Sequence, residues 1–213
     1  MKVQYFGHSF WKVFTDSCSV VFDPFDNIGY PMPKGLSADY VIISHEHHDH
    51  NNPSLIGGHP QILRKAGLYS GAGMKVELIS VFHDESRGSQ RGSNLISKVE
   101  MDNLTVVHCG DLGHIPSSEV TAKIMKPDLL FIPAGEIFTL PLEEVWSVID
   151  TLQPRLLFPM HYGTEVVNFK LGSLDKFLKR ATNIVRYDTN ILEVTPELLA
   201  EPKTVIMNWR SKD

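Results

Sequence analysis

Hydrophobic and polar positions change rhythm once along this chain. In the first third, short aromatic or β-branched runs are broken by Gly, Ser and Asp, so KVQYFG, SFWKVFT and SVVFDPF read as strands. TDSCS between the second and third reads as a hairpin turn, and DNIGYPMPKGLSA as a Pro- and Gly-rich loop. DYVIIS is a continuous apolar run, as expected of a strand buried on both faces. NPSLIGGHPQILRKAG reads as loop with a short helix, KVELISVFH as a strand, and DESRGSQRGSN as polar loop. NLISKVEMDNLTVVHCGD reads as a hairpin turning at MDN. Beyond it, SSEVTAKIMK, PLEEVWSVIDTLQ and LGSLDKFLKRA carry helical spacing. They alternate with the apolar strands DLLFIP and RLLFPMH and are followed by NIVRYD and KTVIMNW. The chain thus opens β-rich and ends in alternating α and β. It has no solenoid repeat, low-complexity segment or evident linker, and one domain over residues 1–213 is expected.

Composition narrows the picture. The 213 residues are 42% hydrophobic and 21% charged, as in ordinary globular proteins, with a net charge of −5. An acidic balance argues against nucleic acid as partner, because phosphate-backbone binding needs a basic surface. Two cysteines, Cys18 and Cys109, make neither a disulfide framework nor a cysteine zinc site. The first residues, MKVQYFGHSFWKV, lack a long apolar core and a small-residue cleavage site, and no apolar run reaches membrane-spanning length. A cytoplasmic location and no membrane partner are therefore expected. Oligomeric state is not legible.

The ten histidines change the picture most. Four polar clusters each follow an apolar strand: SHEHHDH after DYVII, HD after ISVF, HCGD after LTVV, and MHYG after RLLFP. Side chains at strand ends can converge on one sheet edge, where sites in α/β folds lie. Within His45-x-His47-x-Asp49-His50, residues two apart in an extended segment point the same way, so His45 and His47 can hold one metal. Asp49 and His50 can be turned towards a second. Imidazole nitrogen and carboxylate oxygen suit Zn²⁺, and also Fe or Mn. That run alone cannot close a site, and His83, His108, Asp111, His114 and His161 are candidates to complete it.

SHEHHDH resembles the H-x-H-x-D-H signature of the metallo-β-lactamase fold superfamily. YFGHSF, VVFDPF, FHDESRGSQRGSN, HCGDLGH and FPMHYGT, in that order, resemble motifs of one branch of it. That branch includes small metal-dependent hydrolases, ascorbate-6-phosphate lactonases and N-acylphosphatidylethanolamine phospholipases D. The resemblance implies an α/β fold, an αββα sandwich of two mixed β-sheets flanked by helices. It implies two divalent metal ions, Zn²⁺ foremost, with Mn or Fe as alternatives. His45, His47 and His83 would ligate the first metal; Asp49, His50 and His161 the second; Asp111 would bridge them. Asp23 would support the ligand loop through hydrogen bonds. Ser44 fits the small residue often found before the first histidine. Where relatives often carry a Met after a PxG segment, this chain has PAGEIFTLPLEE, so no substrate contact is inferred there.

Other polar residues divide between support and contact. His8 is expected to hydrogen-bond the ligand loops, and His108 to support its loop or pack. His48 and Glu46 are read as bystanders, and Cys109 as a small buried residue. His114 is a candidate for the pocket rim. Arg87 and Arg91 could grip an anion, set against a solvated loop. The implied chemistry is hydrolysis: water between two metals loses a proton near neutral pH and attacks a small, anionic ester, phosphodiester or lactone. Asp49 and Asp111 are the candidate catalytic carboxylates, and Asp49 could steer the water or shuttle a proton. Activity is expected to fall below about pH 6, as free imidazole protonates. A β-lactam substrate is not expected of a chain without a signal peptide. The alternatives are an iron-dependent redox enzyme on the same fold, a nuclease, and a non-enzymatic metal-binding protein. The chain has neither the length for a flavin domain nor a basic exosite.

Overall fold

The computed structural model describes residues 1–210. Its first strands are β1 (Lys2–Tyr5), β2 (Trp11–Phe14), β3 (Ser19–Phe22), β4 (Tyr40–Ile42) and β5 (Gln61–Leu63). Next come β6 (Gly67–Gly71), β7 (Met74–Phe82), β8 (Ser93–Met101) and β9 (Leu104–His108). The alternating part holds α1 (Ser118–Ile124), β10 (Leu129–Pro133), α2 (Leu142–Leu152), β11 (Leu156–Met160) and α3 (Leu174–Leu178). It ends with β12 (Ile184–Tyr187), β13 (Ile191–Glu193) and β14 (Lys203–Met207). They form a six-stranded sheet, β13-β1-β2-β3-β4-β5, and an eight-stranded sheet, β12-β14-β11-β10-β9-β8-β7-β6.

Period-2 alternation explains the sandwich. Val20, Phe22, Tyr40 and Ile42 of the first sheet and Leu129, Phe131, Leu156 and Phe158 of the second point inward and make one core between the sheets. Alternate residues of the second sheet, Leu130, Ile132 and Leu157, point outward to a layer holding Val145, Trp146, Ile149 and Phe177 of α2 and α3. In α2 the buried Val145, Trp146, Val148, Ile149 and Leu152 lie on one face at helical spacing, and Gln153 ends the helix in a left-handed conformation. On the outer face of the first sheet, Val21 and Val41 pack against Phe10, Phe25, Ile28 and Tyr30, which come from connecting segments. The expected sandwich of mixed sheets is present; the three α-helices among the described residues belong to the second sheet's side, and loops close the first.

Three elements differ from expectation. The segment read as loop with a short helix holds only a 3₁₀ turn at Pro53–Leu55. It then forms β5, paired parallel to β4 with Ile42 beside Leu63. Leu63 enters the core, and pairing along β4 overrides a weak local pattern. β6 and β13 were also not anticipated: GLYSG and ILE are too short or glycine-rich to signal strand alone, and each exists by pairing, with β7 and β1. The hairpin at MDN is present, with Asp102 and Asn103 both at positive φ as a tight β-turn demands.

Strand direction positions the site. β7 and β9 both run antiparallel to β8, and β10 and β11 run parallel to β9. The C-terminal ends of β7, β9 and β11 therefore share one edge with the N-terminal end of β8. In the first sheet, parallel β3 and β4 bring their C-terminal ends, and the β1–β2 turn, to an edge of their own.

Candidate metal centre

The two edges meet at a cluster of imidazoles and carboxylates. His45, His47 and His83 offer ring nitrogens within 4.8 Å of one another, and at the same spacing ring nitrogens and carboxylate oxygens gather from His45, His50 and Asp111 and from His8, Asp49, His50 and His161. His45 Nε2 and His47 Nδ1 are 3.0 Å apart. Asp111 lies between the groups. Its Oδ2 is 3.2 Å from His83 Nε2, 3.0 Å from His161 Nε2 and 3.9 Å from His45 Nε2, and its Oδ1 is 3.3 Å from His50 Nε2. His50 Nε2 is 3.6 Å from Asp49 Oδ2. The structure thus brings together all seven expected ligand residues.

The donor set fits cations. His50 Nε2, His161 Nε2 and Asp111 Oδ1 are buried without a hydrogen-bond partner. Buried polar atoms are ordinarily satisfied, yet His50 Nε2 lies 3.3 Å from Asp111 Oδ1 and His161 Nε2 3.0 Å from Asp111 Oδ2 without hydrogen-bond geometry. A cation coordinated by N and O donors resolves all three. The surroundings also oppose protonation of His45, His47 and Asp111. Burial, then the neighbouring His50, lowers His45 to about 3. Burial and then His83 lower His47. Burial pushes Asp111 up, but the charges of His161 and His50 outweigh it and hold the carboxyl well below its usual range.

Asp23 bonds two residues of the histidine-rich loop, Ser44 and His50. It accepts from Ser44 N at 2.7 Å and from Ser44 Oγ at 2.6 Å, and His50 Nδ1 lies 2.9 Å from its Oδ2. Its pKa is lowered: burial opposes this, and the hydrogen bond and charge of His50 overcome it. An ionised carboxylate only accepts, so His50 carries its proton on Nδ1 and presents Nε2 to the cluster. Ser44 Oγ, having donated to Asp23, can accept from His45 Nδ1 at 2.9 Å, which leaves His45 Nε2 free as well. One buried carboxylate therefore sets two histidine tautomers.

His8 contacts the ligand loop, with Nε2 3.2 Å from Asp49 Oδ2, and burial, followed by His161, lowers its pKa to about 3. A neutral His8 donates to Asp49, whose own pKa is lowered. Burial raises the Asp49 carboxyl, and the His8 bond and His50 charge outweigh it. His8, Asp23 and His161 all hold left-handed backbone, which non-glycine residues enter only at a cost.

His108 is structural: Nε2 donates to Ser9 O at 3.1 Å, Nδ1 accepts from Gly110 N at 3.2 Å, and the ring stacks on Phe22. His114 does not join the cluster. It accepts from Phe82 N at 3.1 Å and lies 2.9 Å from Ile115 O, tying its loop to the end of β7. Arg87 is exposed and is not among the residues lining the cavity above the cluster, whereas Arg91 and the solvent-exposed His48 are. Cys109 is buried, and burial pushes its thiol up to about 12.

Several positioning residues lie inside the quoted motifs or outside them without a role having been assigned to them. Asn94, at the start of β8, donates to Cys109 O at 2.8 Å and accepts from Asp111 N at 3.0 Å, locking the Asp111 loop. Asp84 accepts from Gly88 N, Gln90 N and Arg91 N at 2.9, 3.1 and 2.7 Å, folding the polar loop back on itself. Gly113 approaches the His83 backbone so closely that a Cβ would sit 2.1 Å from its carbonyl carbon. Phe138, Asn168 and Phe169 line the cavity. Phe138 lies within PAGEIFTLPLEE, from which no substrate contact was inferred, and the NF dipeptide carries no recognisable signal.

Residues 2–161 match the beta-lactamase superfamily domain. A UPF0173 metal-dependent hydrolase of Archaeoglobus fulgidus is 26% identical, across 77% of this chain and 84% of its own length. A Thermotoga maritima crystal structure, described as a candidate Zn-dependent hydrolase of the metallo-β-lactamase superfamily, is similar at 32% identity and TM-score 0.82, covering 97% of both chains. A metallo hydrolase of Ignicoccus hospitalis shares the fold at 20% identity and TM-score 0.64, over 84% of this chain and 89% of its own.

Proposed function

This chain belongs to the beta-lactamase superfamily domain family, and on that premise we propose that it is a hydrolase holding two divalent cations, Zn²⁺ foremost, and acting on a small anionic ester, phosphodiester or lactone. The observation that carries the reading is the trio of buried, unpartnered atoms, His50 Nε2, His161 Nε2 and Asp111 Oδ1, inside a cluster drawn from four strand ends. His45, His47 and His83 would hold one cation, and Asp49, His50 and His161 the other, with Asp111 between. Cations bound there supply a Lewis acid and a water acidic enough to react near neutral pH.

The chain's own residues prepare the rest. Asp23 and Ser44 aim His45 and His50. Asp111 is aimed by Asn94 through its backbone amide. Asp49 stays ionised at neutral pH and can take up a proton on a carboxylate oxygen, while His8 Nε2 steadies the carboxylate. Among the described residues, no helix is long and apolar enough to cross a membrane.

The test is reconstitution with Zn²⁺, Mn²⁺ or Fe²⁺, metal analysis, and a screen against phosphodiester, lactone and thioester panels with Asp111→Ala as control. About two metals per chain and turnover lost in the variant are expected. Absence of stoichiometric metal, or equal turnover by Asp111→Ala, sinks the proposal. Iron with an electronic spectrum and no hydrolysis would favour the redox alternative.

A further inference from the structure

The cavity above the cluster holds about 510 Å³, a volume suited to a small molecule. Its floor is polar: Asp49, His83, Asp111 and His161. Its upper wall, from Arg91, Phe138, Asn168 and Phe169, is different. The rings of Phe138 and Phe169 lie 6.3 Å apart between centroids, tilted by 59°. Phe138 is 36% exposed and its neighbour Ile137 40%, so apolar surface stands open beside the cavity. The loop that bears them is braced, with Gly172 N donating to Gly135 O at 2.7 Å and Lys176 paired to Glu136 at 3.4 Å.

Arg91 holds its guanidinium 5.7 Å from the Phe138 ring centroid, at cation–π range. Its backbone amide is pinned to Asp84 at 2.7 Å. Among the described residues, no carboxylate lies within ion-pair distance of that guanidinium. Glu136, two residues before Phe138, is taken by Lys176, and Asp84 is occupied by backbone amides. A positioned, unpaired, half-buried arginine beside two open rings matches a ligand with two parts. Guanidinium forks the oxygens of a carboxylate, phosphate or sulfonate, and tilted rings accept a planar apolar body.

We infer that Arg91, Phe138 and Phe169 select substrates that join an anionic group to a planar apolar body, the anion on Arg91 and the body against the two rings. The reacting bond then lies over the histidine cluster. This deepens the hydrolase reading and rests on it for the reaction, though not for binding. It makes Arg91 and the two phenylalanines specificity-determining residues.

Equilibrium binding tests it with three probes: naphthalene-2-sulfonate, the neutral 2-naphthol, and methanesulfonate, which lacks the apolar body. Sulfonates are weak metal ligands, so the wall rather than the floor dominates their binding. Arg91→Gln should weaken naphthalene-2-sulfonate about tenfold or more, with 2-naphthol changed by less than about twofold. Arg91→Lys, which keeps the charge without the fork, should fall between. Phe138→Ala should weaken both naphthalene probes, and methanesulfonate should bind wild type far more weakly than naphthalene-2-sulfonate. Metal content and melting temperature are measured on the same samples. If Arg91→Gln keeps its metal and binds naphthalene-2-sulfonate as wild type does, the inference is overturned and the hydrolase reading stands. If both naphthalene probes weaken equally in Arg91→Gln, Arg91 acts through packing and the inference is likewise overturned. A protein that holds no metal yet binds naphthalene-2-sulfonate through Arg91 sinks the hydrolase reading alone.

Discussion

Replacing Asp23 by Asn should cost more metal affinity than folding stability, and replacing it by Ala should cost both. Asp23 is buried and receives Ser44 N, Ser44 Oγ and His50 Nδ1 at 2.7, 2.6 and 2.9 Å. In Asp23→Ala, Ser44 N–H and His50 Nδ1–H lose their acceptor. At about 1–3 kcal/mol for each unsatisfied buried donor, the loss is about 2–6 kcal/mol. Asp23→Asn preserves the volume and one acceptor. If Oδ1 stays on Ser44 N, Nδ2 faces His50 Nδ1 and Ser44 Oγ. His50 must then move its proton to Nε2, the atom aimed at Asp111, where it blocks coordination. The flipped amide instead sets Nδ2–H against Ser44 N–H. A supporting partner of this kind is worth about 10–100-fold in metal affinity, or about 1.4–2.8 kcal/mol. Competition titration of chelator-stripped protein against a chromophoric Zn²⁺ chelator measures the affinity, and urea unfolding of the same metal-free samples measures the stability. Wild-type Zn²⁺ affinity in Asp23→Asn would refute the tautomer relay through Asp23 and Ser44.

Gly113→Ala should place a Cβ against the His83 backbone at 2.1 Å, forcing the Asp111 and His83 loops apart. A stability loss of about 1–3 kcal/mol and reduced metal content are expected, read by thermal unfolding and elemental analysis; unchanged values in both would contradict the packing. Ser117→Ala serves as the distant control. It removes the cap that accepts Val120 N at the start of α1 and should cost about 1 kcal/mol without altering metal content. In the metal-free protein, burial lowers His50, but Asp111 and Asp23 outweigh it and hold its pKa well above that of free imidazole. A cation must displace that proton, so affinity should rise with pH through neutrality and level off above the His50 pKa. Calorimetry in two buffers of different ionisation enthalpy should show proton release on Zn²⁺ binding at pH 7; identical heats would contradict it. The acid limb therefore reflects His50 more than His45, which burial, with the neighbouring His50, holds near 3.

The seven expected ligand residues and Asp23 were legible only through the resemblance of the ordered motifs to a known superfamily; imidazole and carboxylate at strand ends left His108 and His114 equally open. Their partners were not. Asn94 closes the motif FHDESRGSQRGSN, yet nothing in that stretch says that it bonds both Cys109 and Asp111. His114 and Arg87 sat in equally suggestive motifs and lie elsewhere, because a loop's local sequence does not say which way its side chains turn. Phe138 and Phe169 carried no signal at all. β5, β6 and β13 were missed for a related reason: their few residues have weak propensity and exist through a neighbour's unpaired edge.

Local pattern by itself therefore determined the chemistry on offer: which side chains end which apolar runs, and that His45, His47, Asp49 and His50 belong together. Those properties depend on neighbours a few residues apart. Only the tertiary structure decided that Asp23, His83, Asp111 and His161 meet that run. Convergence depends on strand order and direction, with β7, β9 and β11 running one way and β8 returning between two of them. That order is set by core packing between residues far apart in the chain, which no short stretch encodes. The same packing carries Phe138 and Phe169 from separate loops into one wall beside Arg91.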